Sequence, residues 1–316
     1  MTGGLWDTRA APETQDEDFT NENLIKLVNM KDKESIIRNG GNEAKMNIGI
    51  ATRSFTGMTT RETAETMAEQ GFKCTELCFT QTDCNYWKYN STSDISELTN
   101  RRVEDIVNMY RNSCIEVVSI GVFTNLIEPD DQIRDLNLNY FVKHMEYANY
   151  CGIKFVATEC GFIQGNRGIQ AHTYESAYNR ILDSVKYLAE ESEKHNVFIA
   201  MEPCVLDVIP SAKRMKDFIK QSQSDRVKVL LDPANLIANS SEEDMFKYLK
   251  EDIAYFHGKD RKVNDAYGCV LGDGDIDWPL FLSLYHQHTE GVPLILEYAN
   301  STNCGQIKQR VLDYDA

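Results

Sequence analysis

The sequence predicts a closed, eight-stranded parallel α/β barrel, a (β/α)8 architecture occupying residues 45–316 as one domain, preceded by an N-terminal extension at 1–44. Four runs carry the first observation: V-F-I-A-M-E-P at 197–203, V-K-V-L-L-D-P at 227–233, I-A-Y-F-H at 253–257 and P-L-I-L-E at 293–297. Each is of strand length and rich in Val, Ile, Leu or Phe. Each lacks the polar alternation of a strand with one wet face, so each reads as covered on both sides. The second observation is the spacing: the polar ends of these runs recur about 25 to 40 residues apart with a helical pattern between them, the size of a strand–helix–strand crossover. Third, no linker divides the chain, and barrels of this kind use roughly 200 to over 400 residues as one unit.

From Met46 onward strands and helices alternate strictly. N-I-G-I-A at 47–51 is the first strand, followed by a helix over 60–70 that Gly71 ends. C-T-E-L-C-F at 74–79 is the second strand; a polar, aromatic loop through Asn85, Tyr86, Trp87 and Tyr89 and a helix over 100–112 follow. Strand three spans 115–122, the helix after it 131–150 closes at Gly152, and strand four spans 153–158 before a long helix over 174–195. The run at 197–203 leads into a helix over 211–221. The run at 227–233 precedes a helix begun by Ser240 or Ser241, with Glu242 and Glu243 in its first turn, where negative charge is favourable. After the run at 253–257 come a long loop and a helix over 278–288, for which Asp277, Trp278 and Pro279 read as a cap with an early proline. The last strand precedes a helix near 306–312. Eight such pairs imply closure rather than an open sheet.

Residues 1–44 are polar and mostly acidic. Their one amphipathic stretch is 23–37, where Leu24, Ile25, Leu27, Val28, Ile36 and Ile37 would line a face, an extra helix or an arm reaching a neighbouring subunit; a loose tail is the other reading.

A formal charge of −16 argues against a protein that works on nucleic-acid phosphates, whose binding depends on Lys and Arg. The nine cysteines form no C-x-x-C pair and several sit in apolar runs, which fits reduced, buried thiols in a cytoplasmic protein. No stretch has the apolar core of a signal peptide or the roughly 18 apolar residues of a membrane span, so no membrane partner is expected.

Parallel barrel strands bring their carboxyl ends to one rim, where the active sites of such barrels lie. The four runs end on Glu202, Asp232, His257 and Glu297. Any one of these alone would read as a helix cap or surface group; together they form an oxygen-rich, one-nitrogen set suited to a divalent ion, Mn or Mg first, with Co and Zn as alternatives. Glu159 beyond strand four would touch substrate or hold a ligand, or serve as a loop cap. Lys259 and Arg261, with Asp260 to orient them, would meet a sugar hydroxyl or phosphate, or form a solvated charge cluster. Arg53 after strand one is a further candidate. Tyr86, Trp87 and Phe123 would stack on a sugar face or simply pack. The glycines at 272 and 274 sit in a tight loop and are no nucleotide fingerprint, lacking the strand–turn–helix setting.

The pieces I-A-M-E-P, L-L-D-P-A-N, F-H-G-K-D, G-D-G-D-I-D-W and L-I-L-E-Y, in this order, resemble the xylose isomerase-like TIM barrel superfamily, in particular its sugar phosphate isomerase/epimerase branch. G-F-K-C-T-E-L at 71–77 and A-N-Y-C-G-I-K-F-V at 148–156 are also similar, so the resemblance spans about 47–312. In ketose 3-epimerases of that superfamily the four matching positions bind one metal, and the glutamates matching Glu202 and Glu297 double as acid and base. The resemblance thus implies a metal-dependent isomerase or epimerase acting on a ketose or sugar phosphate through an enediolate. The physics agrees: a metal-polarised carbonyl stabilises the enediolate, and glutamates on opposite faces would invert the carbon.

Two departures stand out. Many of these epimerases carry a histidine three residues after the aspartate; here Asn235 stands there, able to bond a sugar hydroxyl but not to shuttle a proton. The substrate arginine found in some of them has only Arg261 as an approximate match. The resemblance leaves open a lyase of the inosose dehydratase kind, acting on a keto-sugar or inosose, and a non-catalytic sugar-binding barrel. An apurinic endonuclease-like hydrolase fits poorly, since it needs more histidines. Members often pair through the barrel rim, so a homo-oligomer is also an expectation.

Overall fold

The computed structural model describes residues 46–316 apart from 164, 166, 167 and 169. The stretch at 23–37 and the boundary of the extension lie outside the described residues. Eight parallel strands close into a barrel in chain order, β1 (Ile48–Ile50), β2 (Cys74–Leu77), β3 (Glu116–Gly121), β4 (Phe155–Thr158), β5 (Phe198–Met201), β6 (Val227–Leu231), β7 (Ile253–Gly258) and β8 (Leu294–Leu296). Closure is made by β1 on β8, with Ile48 opposite Leu294 and Ile50 opposite Leu296. A helix follows each strand: α1 (Thr60–Glu69), α2 (Asn100–Asn112), α3 (Asp131–Tyr150), α4 (Tyr174–Lys194), α5 (Ala212–Ser222), α6 (Glu242–Leu249), α7 (Trp278–His288) and α8 (Cys304–Tyr314). The last helix is longer than expected at both ends, and several strands are a residue or two shorter.

Local chemistry sets the helix boundaries. Thr59 and Glu62 form a reciprocal capping box at the start of α1. Of the two serines expected before α6, Ser241 is the cap, accepting from the Asp244 amide, with Glu242, Glu243 and Asp244 in the first turn. Asp277 caps α7 ahead of Pro279. Behind α3, Gly152 takes a φ of +67°, a conformation that costs glycine nothing.

Period two sorts the strand side chains into two cores. Ala51, Cys74, Val118, Ala157, Ala200, Leu230, Tyr255 and Ile295 fill the barrel interior. Their neighbours Ile199, Met201, Val229, Leu231, Phe256, Leu294 and Leu296 face outward into the larger core beneath the helices, where Phe256 packs on Phe246 and Phe281 with ring centroids 5.9 and 5.8 Å apart. Extending the inward row by two residues from Ala200, Leu230, Tyr255 and Ile295 reaches Glu202, Asp232, His257 and Glu297. Their shared inward phase follows from the same alternation that builds the core.

A buried histidine in the helical layer titrates between the folded and unfolded chain. His144 on α3 is buried among Tyr140, Tyr147 and Phe79, its Nδ1 2.8 Å from the Tyr140 carbonyl oxygen. Burial pushes its imidazole down from the ordinary 6.5 to about 4. Between those values the unfolded chain takes up a proton that the folded chain refuses. Stability from this group is therefore full above about pH 6.5 and falls by roughly 3 kcal/mol as the pH drops towards 4. Urea titrations of His144→Phe should show a shallower loss of stability between pH 7 and 4 than the parent protein; overlapping profiles would refute the assignment. Among the described residues no helix is long and apolar enough to cross a membrane, and all nine cysteines are free thiols.

Candidate metal centre and active site

Strand ends and one cap place the four polar side chains. Glu202 and Glu297 continue the ladder past their strands, their amides bonded to the Thr158 and Gly258 carbonyls at 2.9 and 3.0 Å. Asp232 divides its carboxylate: Oδ1 caps the one-turn helix Pro233–Leu236 through the Ala234 amide at 2.9 Å, while Oδ2 is left for the barrel axis. Cap and site are thus two ends of one group. One donor atom from each of Glu202, Asp232, His257 and Glu297 lies within 4.8 Å of the others, and all four residues are buried. Donors across an octahedral ion stand roughly 4.2 Å apart, so small adjustments would close the set on one divalent ion.

Lys259 reaches into this cage. Its Nζ stands 2.5 Å from Asp232 Oδ2, 2.7 Å from Glu297 Oε2 and 3.6 Å from Glu202 Oε1. This ion pair is the contact made by Asp232 Oδ2, which has no other hydrogen-bond partner. Burial alone would raise the Glu202 carboxyl, but the Lys259 ammonium and the His257 imidazole outweigh it and hold Glu202 below the usual range. For Asp232 burial wins, with repulsion from Glu202 adding to it, and its carboxyl is pushed up although Lys259 opposes the shift. Three buried carboxylates converge here with Lys259 among them, and Arg53 pairs with Glu297 as well. Three carboxylates and one imidazole whose donor atoms lie within 4.8 Å of one another fit a divalent ion.

A second carboxylate orients the histidine. His257 Nδ1 faces Glu202 Oε1 at 3.2 Å and Glu297 Oε2 at 3.5 Å, while Nε2 lies 3.2 Å from Glu76 Oε2. Glu76 also accepts from the Tyr255 hydroxyl at 2.6 Å, which in turn accepts from Ser119 Oγ at 2.9 Å, and every member is fully buried. Burial would lower the His257 imidazole, yet Glu76 and Glu202 on its two sides raise it to about 9. Donation of Nε2–H to Glu76 leaves Nδ1 as the nitrogen for an ion, the usual carboxylate–histidine–metal order. Gly121 makes room for this chain, since a Cβ there would sit 2.9 Å from Glu76 Cδ and 2.8 Å from Cys78 Sγ.

Glu76 was not among the residues expected at the site. Its signal was a lone charge inside C-T-E-L-C-F, in phase with the inward-facing Cys74 and Cys78.

Above the cage a cavity of about 370 Å³ opens to solvent, lined by Arg53, Tyr89, Glu159, Asn235, Lys259 and Glu297, with Tyr267 and Tyr298 exposed at its mouth. Glu159 accepts from the Tyr89 hydroxyl at 2.5 Å. Asn235 Nδ2 donates to Glu202 Oε1 at 2.8 Å, fixing that carboxylate. Arg261 also borders the cavity, but its Nε, Nη1 and Nη2 donate to Ala234 O, Asp265 O and Asn235 Oδ1 at 2.9, 3.0 and 3.3 Å. Arg53 faces the cavity in an ion pair with Glu297, its guanidinium carbon 4.6 and 6.0 Å from the ring centroids of Phe123 and Trp87. Those two aromatics flank an arginine here.

The sequence model described as xylose isomerase-like TIM barrel matches residues 64–313. The chain belongs to this family. Solved structures resembling this xylose isomerase-like barrel include the 3-keto-D-glucoside 4-epimerase YcjR from E. coli, 12% identical with a TM-score of 0.69, covering 85% of this chain and 100% of that one. The IolI protein with a bound zinc atom is 15% identical with a TM-score of 0.68, covering 85% and 98%. D-psicose 3-epimerase from Clostridium cellulolyticum H10, with D-tagatose, is 17% identical with a TM-score of 0.64, again covering 85% and 98%. At these identities the likeness is one of fold. No curated protein matches the chain closely enough to count as a relative.

Proposed function

We propose that this xylose isomerase-like protein is a divalent-metal-dependent isomerase or epimerase of a ketose or sugar phosphate. The observation that carries the reading is the buried convergence of Glu202, Asp232, His257 and Glu297 below a polar cavity. The names of the similar structures, two sugar epimerases and a zinc-bound protein, support it. The oxygen-rich donor set favours Mn or Mg. When bound, the ion would supply Lewis acidity at a substrate carbonyl.

The chain's own residues do the rest. Glu202, kept ionised and held by Asn235, is placed to take an α-proton and leave an enediolate. Glu297 comes from β8, three strands round the ring from β5, and is placed to return a proton on the opposite face. Return to the same carbon gives epimerisation; return to its neighbour gives aldose–ketose isomerisation. Glu159 with Tyr89 on one side, and Asn235 backed by Arg261 on the other, offer hydrogen-bonding groups for sugar hydroxyls.

The test is a panel of ketoses and ketose phosphates in D2O, using protein stripped with chelator and then reloaded with Mn or Mg. One carbon-bound hydrogen should exchange in at least one sugar, with chelator stopping the exchange and metal restoring it. A product lighter by one water would assign a dehydratase instead. No exchange, together with no metal uptake, would sink the proposal.

A further inference from the structure

We infer that Lys259 has two seats: inside the metal cage when no ion is bound, and in the substrate cavity beside Tyr298 once an ion has entered. The inference rests on the metal reading above and adds an order of events, in which metal uptake delivers a substrate-facing cation.

The inner seat is the observed one. The ammonium approaches Asp232, Glu297 and Glu202 at 2.5, 2.7 and 3.6 Å, touching three of the four groups that would ligate an ion. A metal ion and the ammonium would compete for the same Asp232 and Glu297 oxygens, and like charges in a buried site repel with little screening. An arriving ion must displace the ammonium.

The outer seat is inferred from what already lies beside the ammonium. From the inner seat Lys259 Nζ already lies 5.7 Å from the Tyr298 ring centroid, and that ring is half exposed at the cavity mouth, so an ammonium driven off the carboxylates has an aromatic face within reach. Tyr298 follows Glu297 directly and holds a φ of +53°, a left-handed backbone uncommon for a bulky residue. Gly268 leaves room beside both groups, because a Cβ there would stand 3.2 Å from Tyr298 Cζ and 3.4 Å from Lys259 Cδ. Lys259 and Tyr298 both line the cavity that the substrate would fill, and the four-carbon stem lets the ammonium turn from the carboxylates towards the ring.

The experiment titrates Mn2+ into the full chain and into Lys259→Met, following free Mn2+ by electron paramagnetic resonance, and maps acetylation of Lys259 in the unmutated protein with and without Mn2+. Removing the resident cation should tighten Mn2+ binding by about tenfold or more. Mn2+ should also raise acetylation of Lys259 severalfold in the unmutated protein, a readout that holds even if Lys259→Met fails to fold. Binding in the variant no tighter than in the parent, with Lys259 equally unreactive in both states, would overturn the two-seat inference and leave the metal centre standing. Binding to neither protein would remove the metal centre itself and this inference with it. Binding to the variant alone would also overturn the inference, because the ion would then fail to displace the lysine in the parent.

Discussion

Replacing Glu202 or Glu297 by glutamine is expected to slow solvent-deuterium entry into a bound ketose by about a hundredfold or more, the scale of a lost general acid or base. Glutamine keeps the shape of the side chain, and at position 202 its carbonyl oxygen still accepts from Asn235 Nδ2. What it removes is the proton-accepting oxygen. Each substitution also takes a negative charge out of the cage, so metal content has to be measured on the same samples. Loss of exchange with the ion retained would assign the effect to proton transfer; loss of both would assign it to ligation. Circular dichroism should be unchanged, because both groups sit beyond the last strand residue. Undiminished exchange in both variants would end the two-glutamate mechanism.

Asp260→Ala is expected to destabilise the fold by about 4 kcal/mol or more. The fully buried carboxylate accepts four hydrogen bonds: Oδ1 from the Arg261 and Ile276 amides at 2.8 and 3.3 Å, Oδ2 from the Gly272 amide and Trp278 Nε1 at 3.0 and 2.8 Å. Each buried donor stranded by the change costs about 1–3 kcal/mol, part of it recovered by entering water. The group had been expected to orient Lys259 and Arg261. Its contacts show a wider part, tying the loop after β7 to the first turn of α7, where Trp278 is buried. Asp260→Asn retains one carbonyl acceptor and should fall between the parent and the alanine variant in a denaturant titration. An alanine variant within about 1 kcal/mol of the parent would show that the loop is held by other contacts.

The barrel and the four converging groups were legible along the chain because they follow from local rules. Runs covered on both sides have no polar phase, helices have caps, and a polar residue that stops such a run sits at a strand's carboxyl end. Asp232 shows how far this goes: L-D-P-A-N spells a helix cap, and the cap turns the second carboxylate oxygen towards the axis.

Residues whose roles depend on a partner far along the chain were not legible. Glu76 looks like one charge in a short strand; only barrel closure sets it against His257, 181 positions later. Lys259 and Arg261 carry the same charge two residues apart and read alike. The fold separates them, turning one ammonium into the carboxylate cage and spending the other's guanidinium on Ala234, Asp265 and Asn235. Hydrophobic periodicity and turn chemistry act over a few residues and leave a trace in the order of amino acids. The pairing of buried charges acts through space, and its partners exist only once the strands have closed.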